Sequence, residues 1–138
     1  RREMYDALAS VRDPSRLEKA LQLMLDPSLD FRETMALMYS PSTPATRALV
    51  QTFFKDHQAA LLARMPQDEV SGGLVGLTWL FTGTCDPAQR ASLASYVTST
   101  FGSMPGGSRV VAQAIEAMDQ CIATRASLAL APWLRGRS

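Results

Sequence analysis

The residues that most often carry catalysis are few in this chain. It has one histidine, His57, and two cysteines, Cys85 and Cys121. A zinc peptidase helix needs two histidines four residues apart and a glutamate beside them as general base. One histidine cannot supply that site. The sequence also has no Gly-x-Ser-x-Gly nucleophile elbow, no P-loop and no Cys-x-x-Cys pair. We therefore assign no catalytic residue and no metal ligand.

His57 is the first of two residues that could face a ligand. It falls in the middle of the apolar stripe of a predicted helix that carries Val50, Phe53 and Leu61. One interpretation is a buried, hydrogen-bonded imidazole in a helix interface. The other is a side chain that faces a groove and meets a peptide or a protein partner. A third interpretation, an independent helical enzyme that pairs His57 with a serine, has no further residue to support it.

Arg125 is the second candidate, because it lies near the apolar stripe of the last predicted helix. Arginine side chains in that position usually extend to the edge and keep the charged head in water. The alternatives are a buried pair with a carboxylate and a contact with the carboxylate of a peptide. The cysteines are too few for a disulfide framework, so Cys85 and Cys121 are expected to be free thiols.

Composition limits the possible partners. The chain has 138 residues, 46% of them hydrophobic, which is enough for one domain, spanning 1–138, with a hydrophobic core. Fourteen basic and thirteen acidic residues leave a net charge of +1, and no apolar run approaches the ~20 residues that span a bilayer. We therefore expect neither a nucleic acid nor a membrane as partner. The compartment is unknown; no targeting segment is visible, which slightly favours the cytoplasm.

The pattern along the chain predicts helices and no strands. Asp13-Pro14 is a start signal and Asp26-Pro27 ends the helix that follows. Further helices are predicted over about 30–39, 45–65, 68–81 and 87–101, separated by Pro-rich or Gly-rich turns such as 40–44 and 104–107. Gly72 and Gly73 lie inside one of them, where small residues let a neighbouring helix approach closely.

The last predicted helix is long and amphipathic, running from Val110 to Leu134 and closing on Pro132-Trp133-Leu134. Its two faces follow a helical period of about 100° per residue. The apolar face holds Val111, Ala114, Ile115, Met118, Cys121 and Ile122, and the polar face holds Arg109, Gln113, Glu116 and Gln120. The methionines are expected in the core: Met24, Met35, Met38, Met65 and Met118. Short connections favour antiparallel helix pairs, so we predict an all-α fold in which such pairs stack into a HEAT-like α-superhelix.

These segments resemble the C-terminal domain of zinc aminopeptidases of the puromycin-sensitive and endoplasmic-reticulum aminopeptidase type. Residues 53–64, Phe-Phe-Lys-Asp-His-Gln-Ala-Ala-Leu-Leu-Ala-Arg, are similar to that family's Trp-x-Phe-Ile-Lys-Asp-Asn-Trp-x-x-Leu-x-x-Arg motif. The run from Pro105 to Glu116 and the terminal Trp133-Leu134 resemble its last helix. The chain departs from the motif at Gln51, His57 and Gln58, which stand in place of Trp, Asn and Trp.

The resemblance implies a specific role. In such enzymes this domain is a superhelix of HEAT-like helix pairs that closes over the catalytic domain of the same polypeptide. It encloses the substrate chamber and restricts access to short peptides, while zinc and catalysis belong to the other domain. The chain itself would then be non-catalytic and without cofactor, and a piece of a longer polypeptide. The alternative is a free-standing helical-repeat scaffold that binds a protein partner on its concave face.

Overall fold

Some of the helices begin where the sequence supplies a side-chain cap. The structure is a computed structural model, and it describes residues 2–39, 43–65 and 70–130. Those residues form α-helices, one 3-10 helix and no strand, which confirms the predicted all-α class. The elements are α1 (Arg2–Ala9), α2 (Pro14–Leu21), a 3-10 helix (Gln22–Leu25), α3 (Phe31–Thr34), α4 (Ala36–Tyr39), α5 (Pro44–Asp56), α6 (Gln58–Arg64), α7 (Val70–Thr82), α8 (Arg90–Phe101) and α9 (Gly107–Leu130).

Two of the caps follow directly from Pro-containing sequence. The carboxylate of Asp13 accepts a hydrogen bond from the backbone N of Ser15 at 2.9 Å, and Pro14 is the first residue of α2. Thr43 begins α5 in the same way. Its hydroxyl accepts from the backbone N of Thr46, and its own backbone N donates to the Thr46 hydroxyl. Each cap satisfies N–H groups that have no partner inside the helix.

Several predicted helices differ from the observed ones. The helix that begins at Pro14 changes to a 3-10 helix at Gln22, and the last helix begins at Gly107, three residues before the predicted start. The helix predicted over 45–65 breaks at His57, whose φ of −116° and ψ of 17° separate α5 from α6. Asp and His are weak helix formers, and both stand at this break. The helix predicted over 30–39 breaks at Met35. The helix predicted from Pro87 begins at Arg90, because Asp86 accepts from the backbone N of Ala88 and holds a turn there.

Some predicted boundaries lie outside the described residues. They are most of the turn at 40–44, the helix end at Pro66, the helix start at Asp68 and the closing Pro132-Trp133-Leu134.

The chain divides into two compact units, residues 1–80 and 81–138, called here the N-terminal and C-terminal units. In the N-terminal unit α1 packs against α4, and α2 packs against α5. The core is aliphatic, aromatic and rich in methionine. Its fully buried side chains include Leu17, Leu21, Met24, Leu37, Met38, Phe54, Leu61, Leu74 and Leu77. All five methionines predicted to be core residues are buried.

Helix α7 approaches α3 and α4 closely in the N-terminal unit. A Cβ added at Gly73 would lie 2.7 Å from Cε of Met35, and one added at Gly76 would lie 2.4 Å from the ring of Tyr39. The Tyr39 hydroxyl also lies 3.4 Å from the carbonyl oxygen of Gly73, to which it donates. The predicted close approach at Gly73 is confirmed, and Gly76 extends it by one turn.

In the C-terminal unit α8 packs against α9. The ring of Phe81 lies 4.7 Å from Tyr96 and 6.4 Å from Phe101 between centroids. Burial raises the pKa of the Tyr96 phenol. Along α9 the predicted polar face is exposed. On the predicted apolar face Val111, Ala114 and Met118 are buried, and Ile115, Cys121 and Ile122 are half-buried.

Candidate functional site

The segment that carries the family motif is held in place by hydrogen bonds to other helix and loop carbonyls. Gln51 donates to the carbonyl oxygen of Leu80 at 2.8 Å, and Arg47 donates to the same oxygen at 3.3 Å. That carbonyl belongs to the last turn of α7, where carbonyls lack helical partners and a nearby cation is favourable. Gln51, one of the departures from the motif, therefore fastens α5 to the end of α7.

Arg64, the last residue of the motif, clamps the loop between the 3-10 helix and α3. Its guanidinium donates to the carbonyl oxygen of Met24 and, at 2.8 Å, to that of Leu29. It also lies 5.2 Å from the ring centroid of Phe31, in cation–π contact. Hydrogen bonds from Ser28 lower the pKa of Asp26 in this loop, and Arg64 adds a smaller effect in the same direction. Arg64 therefore has a structural role in the N-terminal unit.

His57 lies at the junction of α5 and α6 and is half-buried. Its ring centroid is 4.7 Å from that of Phe53, with the two planes tilted by 51°. Its backbone continues the helical hydrogen bonds on both sides, to Phe53 and from Leu61. Within the described residues the imidazole makes no hydrogen bond, and the ring contact is the one with Phe53.

Arg125 belongs to the C-terminal unit and is exposed. Every residue from Ala123 to Leu128 is exposed, so this part of α9 lies on the surface of the C-terminal unit. Among the described residues Arg125 has no ion pair, and its side chain extends into solvent. His57 belongs to the N-terminal unit and Arg125 to the C-terminal unit.

The prediction of free thiols is wrong. Cys85 and Cys121 form a disulfide, with 5.3 Å between their Cα atoms and a separation of 36 positions in sequence. Cys85 lies in the loop between α7 and α8, and the packing of α8 on α9 brings that loop beside the middle of α9. Residues so distant in sequence meet only through tertiary packing, which the cysteine count alone could not show.

A bidentate ion pair lies near the disulfide. Arg90 donates to Asp119 through Nε at 2.7 Å and through an NH2 group at 2.6 Å. These hydrogen bonds lower the pKa of Asp119 and raise that of Arg90. Nothing in the sequence signalled this pair, because its residues lie 29 positions apart on different helices.

The α8–α9 pair carries an open groove on its surface. It consists of two depressions of about 560 and 550 Å³ that share Thr98 and Ile115. Small and hydroxyl-bearing side chains line most of it, and its one charged lining residue, Arg90, is neutralised by Asp119. The hydroxyls of Thr98 and Ser99 donate to carbonyls of their own helix, so neither is arranged as an activated nucleophile.

The described residues do not fit a zinc site, since no group of three or more His, Cys, Asp or Glu side chains among them could hold a metal ion. No helix within the described ranges has the length and apolar character needed to cross a membrane.

Comparison with known proteins assigns the family. Residues 1–120 match the ERAP1-like C-terminal domain. No curated protein and no solved structure matches the chain. The matched region includes the α5–α6 motif segment and the run from Pro105 to Glu116, both of which resemble the C-terminal domain of zinc aminopeptidases. Trp133-Leu134 lies beyond the matched residues. Because the match covers most of the 138 residues, the chain belongs to the ERAP1-like C-terminal domain family.

Proposed function

We propose that this chain is a non-catalytic C-terminal domain that encloses the substrate chamber of a zinc aminopeptidase and restricts access to short peptides. The family match over residues 1–120 carries the proposal, because this family is a non-catalytic part of larger aminopeptidase polypeptides. Zinc would be held by the catalytic domain of the same polypeptide. Enclosure suits packed helices, since a chamber wall excludes folded proteins by size and needs no reactive group of its own.

His57 and Arg125 are the residues we assign to contacts with peptide substrates or with the catalytic domain. His57 is half-buried with part of its imidazole open, and Arg125 presents an exposed guanidinium. An exposed guanidinium binds carboxylates through two parallel hydrogen bonds, so a peptide carboxylate is a suitable partner. Contacts remote from the scissile bond contribute binding energy that can be used at the reacting centre.

Helix α7 supplies a surface for packing against the rest of the polypeptide. Its 13 residues include no charged side chain. Val75 and Trp79, one turn apart on the same face, are 41% and 46% exposed. A helix that is apolar all round is typical of a helix buried on every side. We propose that another part of the same aminopeptidase polypeptide covers the Val75–Trp79 face.

The first test of this function compares the isolated chain with its parent protein. The chain, supplied with zinc, should not hydrolyse an amino-acid anilide, whereas the full-length parent should. Robust hydrolysis by the purified chain would overturn the non-catalytic assignment. An open reading frame that begins at this chain, with no His-Glu-x-x-His upstream, would instead support the free-standing scaffold.

The second test addresses His57 and Arg125 in the full-length parent. His57→Ala and Arg125→Ala should lower kcat/KM for a peptide several residues long by about three- to tenfold, as loss of one or two polar contacts does. Hydrolysis of the anilide, which is too short to reach the chamber wall, should not change. Equal effects on both substrates would contradict the assigned role, and Arg12→Ala, at an exposed arginine of the N-terminal unit, is the control.

A further inference from the structure

The loop between α7 and α8 is built by local hydrogen bonds. Asp86 accepts from the backbone N of Ala88 and from Nε2 of Gln89, both at 2.9 Å. Thr84 donates its backbone N to Thr82 and accepts from the backbone N of Asp86 through its hydroxyl. Each hydrogen bond recorded for the described residues 83–89 stays within the loop or the adjoining helical turns. The link from this loop to α9 is the Cys85–Cys121 disulfide.

Cys121 marks the place where α9 passes from buried to exposed. Met118, one turn earlier, is 1% exposed, and Cys121 and Ile122 are half-buried. From Ala123 to Leu128 every residue is exposed. A helix end without packed neighbours frays unless something fixes its last buried turn. The disulfide fixes that turn.

The remainder of the α8–α9 pair has its own noncovalent packing. Leu93, Val97 and Phe101 of α8 are buried, as are Val111 and Met118 of α9. The ion pair of Arg90 with Asp119 joins the start of α8 to α9. Loss of the disulfide would leave these contacts in place, so its effect should be confined to the loop and to the end of α9.

We propose that the Cys85–Cys121 disulfide is a redox-sensitive fastening. When it is closed, it holds the α7–α8 loop and the last turns of α9 together; when a thiol reductant opens it, both are released while α8 stays packed on α9. This inference does not depend on the proposed function.

The chemistry is ordinary thiol–disulfide exchange with a dithiol reductant. A thiolate of the reductant attacks one sulfur and the other cysteine leaves as a thiolate, which gives a mixed disulfide. The second thiolate of the reductant then displaces the first cysteine. The reductant ends as a disulfide, and its two protons end on Cys85 and Cys121. Both cysteines are half-buried, so a small thiol can reach them.

The test is hydrogen exchange, followed by mass spectrometry, on the full chain with and without dithiothreitol. On reduction, amides of residues 83–89 and 122–130 should exchange at least about tenfold faster, as expected for local opening. Amides of Arg90–Phe101 should change by less than about twofold. Cys85→Ser with Cys121→Ser should reproduce the reduced pattern without reductant. Asp119→Asn, which breaks the ion pair and keeps the disulfide, should retain the response to dithiothreitol.

Three outcomes would overturn the proposal. Uniform loss of protection over α8 and α9 would show that the disulfide stabilises the whole C-terminal unit and not only the loop and the helix end. Unchanged exchange on reduction of the wild-type chain would show that noncovalent contacts hold the loop and the helix end. Two free thiols in protein isolated from an oxidising compartment would show that the fastening does not close.

Discussion

At the scale of single residues, Arg64 illustrates how a motif side chain can act through the backbone it holds. Its planar guanidinium reaches the carbonyl oxygens of Met24 and Leu29 at once and lies over Phe31. Arg64→Ala leaves both carbonyls without this donor and should lower the free energy of unfolding by about 2 kcal/mol. Arg64→Lys should recover only part of that loss, because an ammonium cannot reproduce the fork. Urea titration of the chain measures both.

The matched control for Arg64 is Arg16→Ala. The Arg16 side chain is 80% exposed and pairs with Asp13 at 3.6 Å, so its removal should cost less than about 0.5 kcal/mol. Equal losses at Arg64 and Arg16 would show that the carbonyl clamp does not stabilise the fold.

Gly76 and Gly73 make a second comparison at the residue scale. Alanine at Gly76 would place Cβ 2.4 Å from the Tyr39 ring, which must move as a unit. Overpacking of about 1–3 kcal/mol exceeds the gain of about 1 kcal/mol in helix propensity, so Gly76→Ala should destabilise the chain. At Gly73 the nearest atom is the terminal methyl of Met35, which can turn away, so Gly73→Ala should be close to neutral.

The same Gly76 contact can be tested for its cause. Tyr39→Ala removes the ring that Gly76 accommodates, so Gly76→Ala should cost nothing further in that background. Free energies of unfolding for the four proteins form a double-mutant cycle. If the changes in free energy of unfolding for Gly76→Ala and Tyr39→Ala simply add, the destabilisation by Gly76→Ala does not come from the Tyr39 contact.

At the scale of elements, local signals predicted the helices whose ends depend on local chemistry. Asp13-Pro14 predicted the start of α2, and the Pro-rich turn before α5 predicted the start of that helix to within one residue. The breaks at Met35 and His57 were not predictable in this way. At His57 the weak helix formers Asp56 and His57 stand inside an apolar pattern that continues past them, so they did not by themselves mark a helix end. At Met35 no local signal stands at the break.

The ion pair that joins α8 to α9 predicts a dependence on pH. Because Arg90 lowers the pKa of Asp119 below its ordinary value of about 3.9, the pair stabilises the fold above that value. The stabilisation is lost as pH falls through the lower folded-state pKa. Asp119→Asn should therefore lower Tm slightly at pH 7, and this difference should shrink as pH falls below about 3.9 and the wild-type carboxyl takes up a proton.

Both side chains of the ion pair are partly exposed, so the difference at pH 7 should also shrink in about 1 M salt. Asp6→Asn, at an exposed carboxylate of α1, is the control and should leave Tm unchanged at each pH. An effect of Asp119→Asn that persists at low pH would mean that the pair is not its source.

At the scale of the whole molecule, the sequence predicted the family and the fold class better than the site. The segments that resemble the family follow one another along the chain in the family's helix order. That order is kept even where Gln51, His57 and Gln58 replace the residues of the motif. The disulfide and the pair of Arg90 with Asp119 join residues 36 and 29 positions apart. Such contacts arise only when α8 lies on α9, and no local pattern encodes them.

The Val75–Trp79 face of α7 gives a prediction for the whole polypeptide. Trp79→Asp should lower Tm of the isolated chain only slightly, because the side chain is already 46% exposed. In the full-length parent the same change should cost about 2 kcal/mol or more, because it would bury an unpaired carboxylate between apolar surfaces. Met4→Asp, at a methionine of α1 that is 53% exposed, shows whether any exposed apolar residue responds in this way. Thermal unfolding of the isolated chain and of the parent measures both effects. If Trp79→Asp lowers Tm equally little in the two proteins, this face of α7 is open to solvent in the parent.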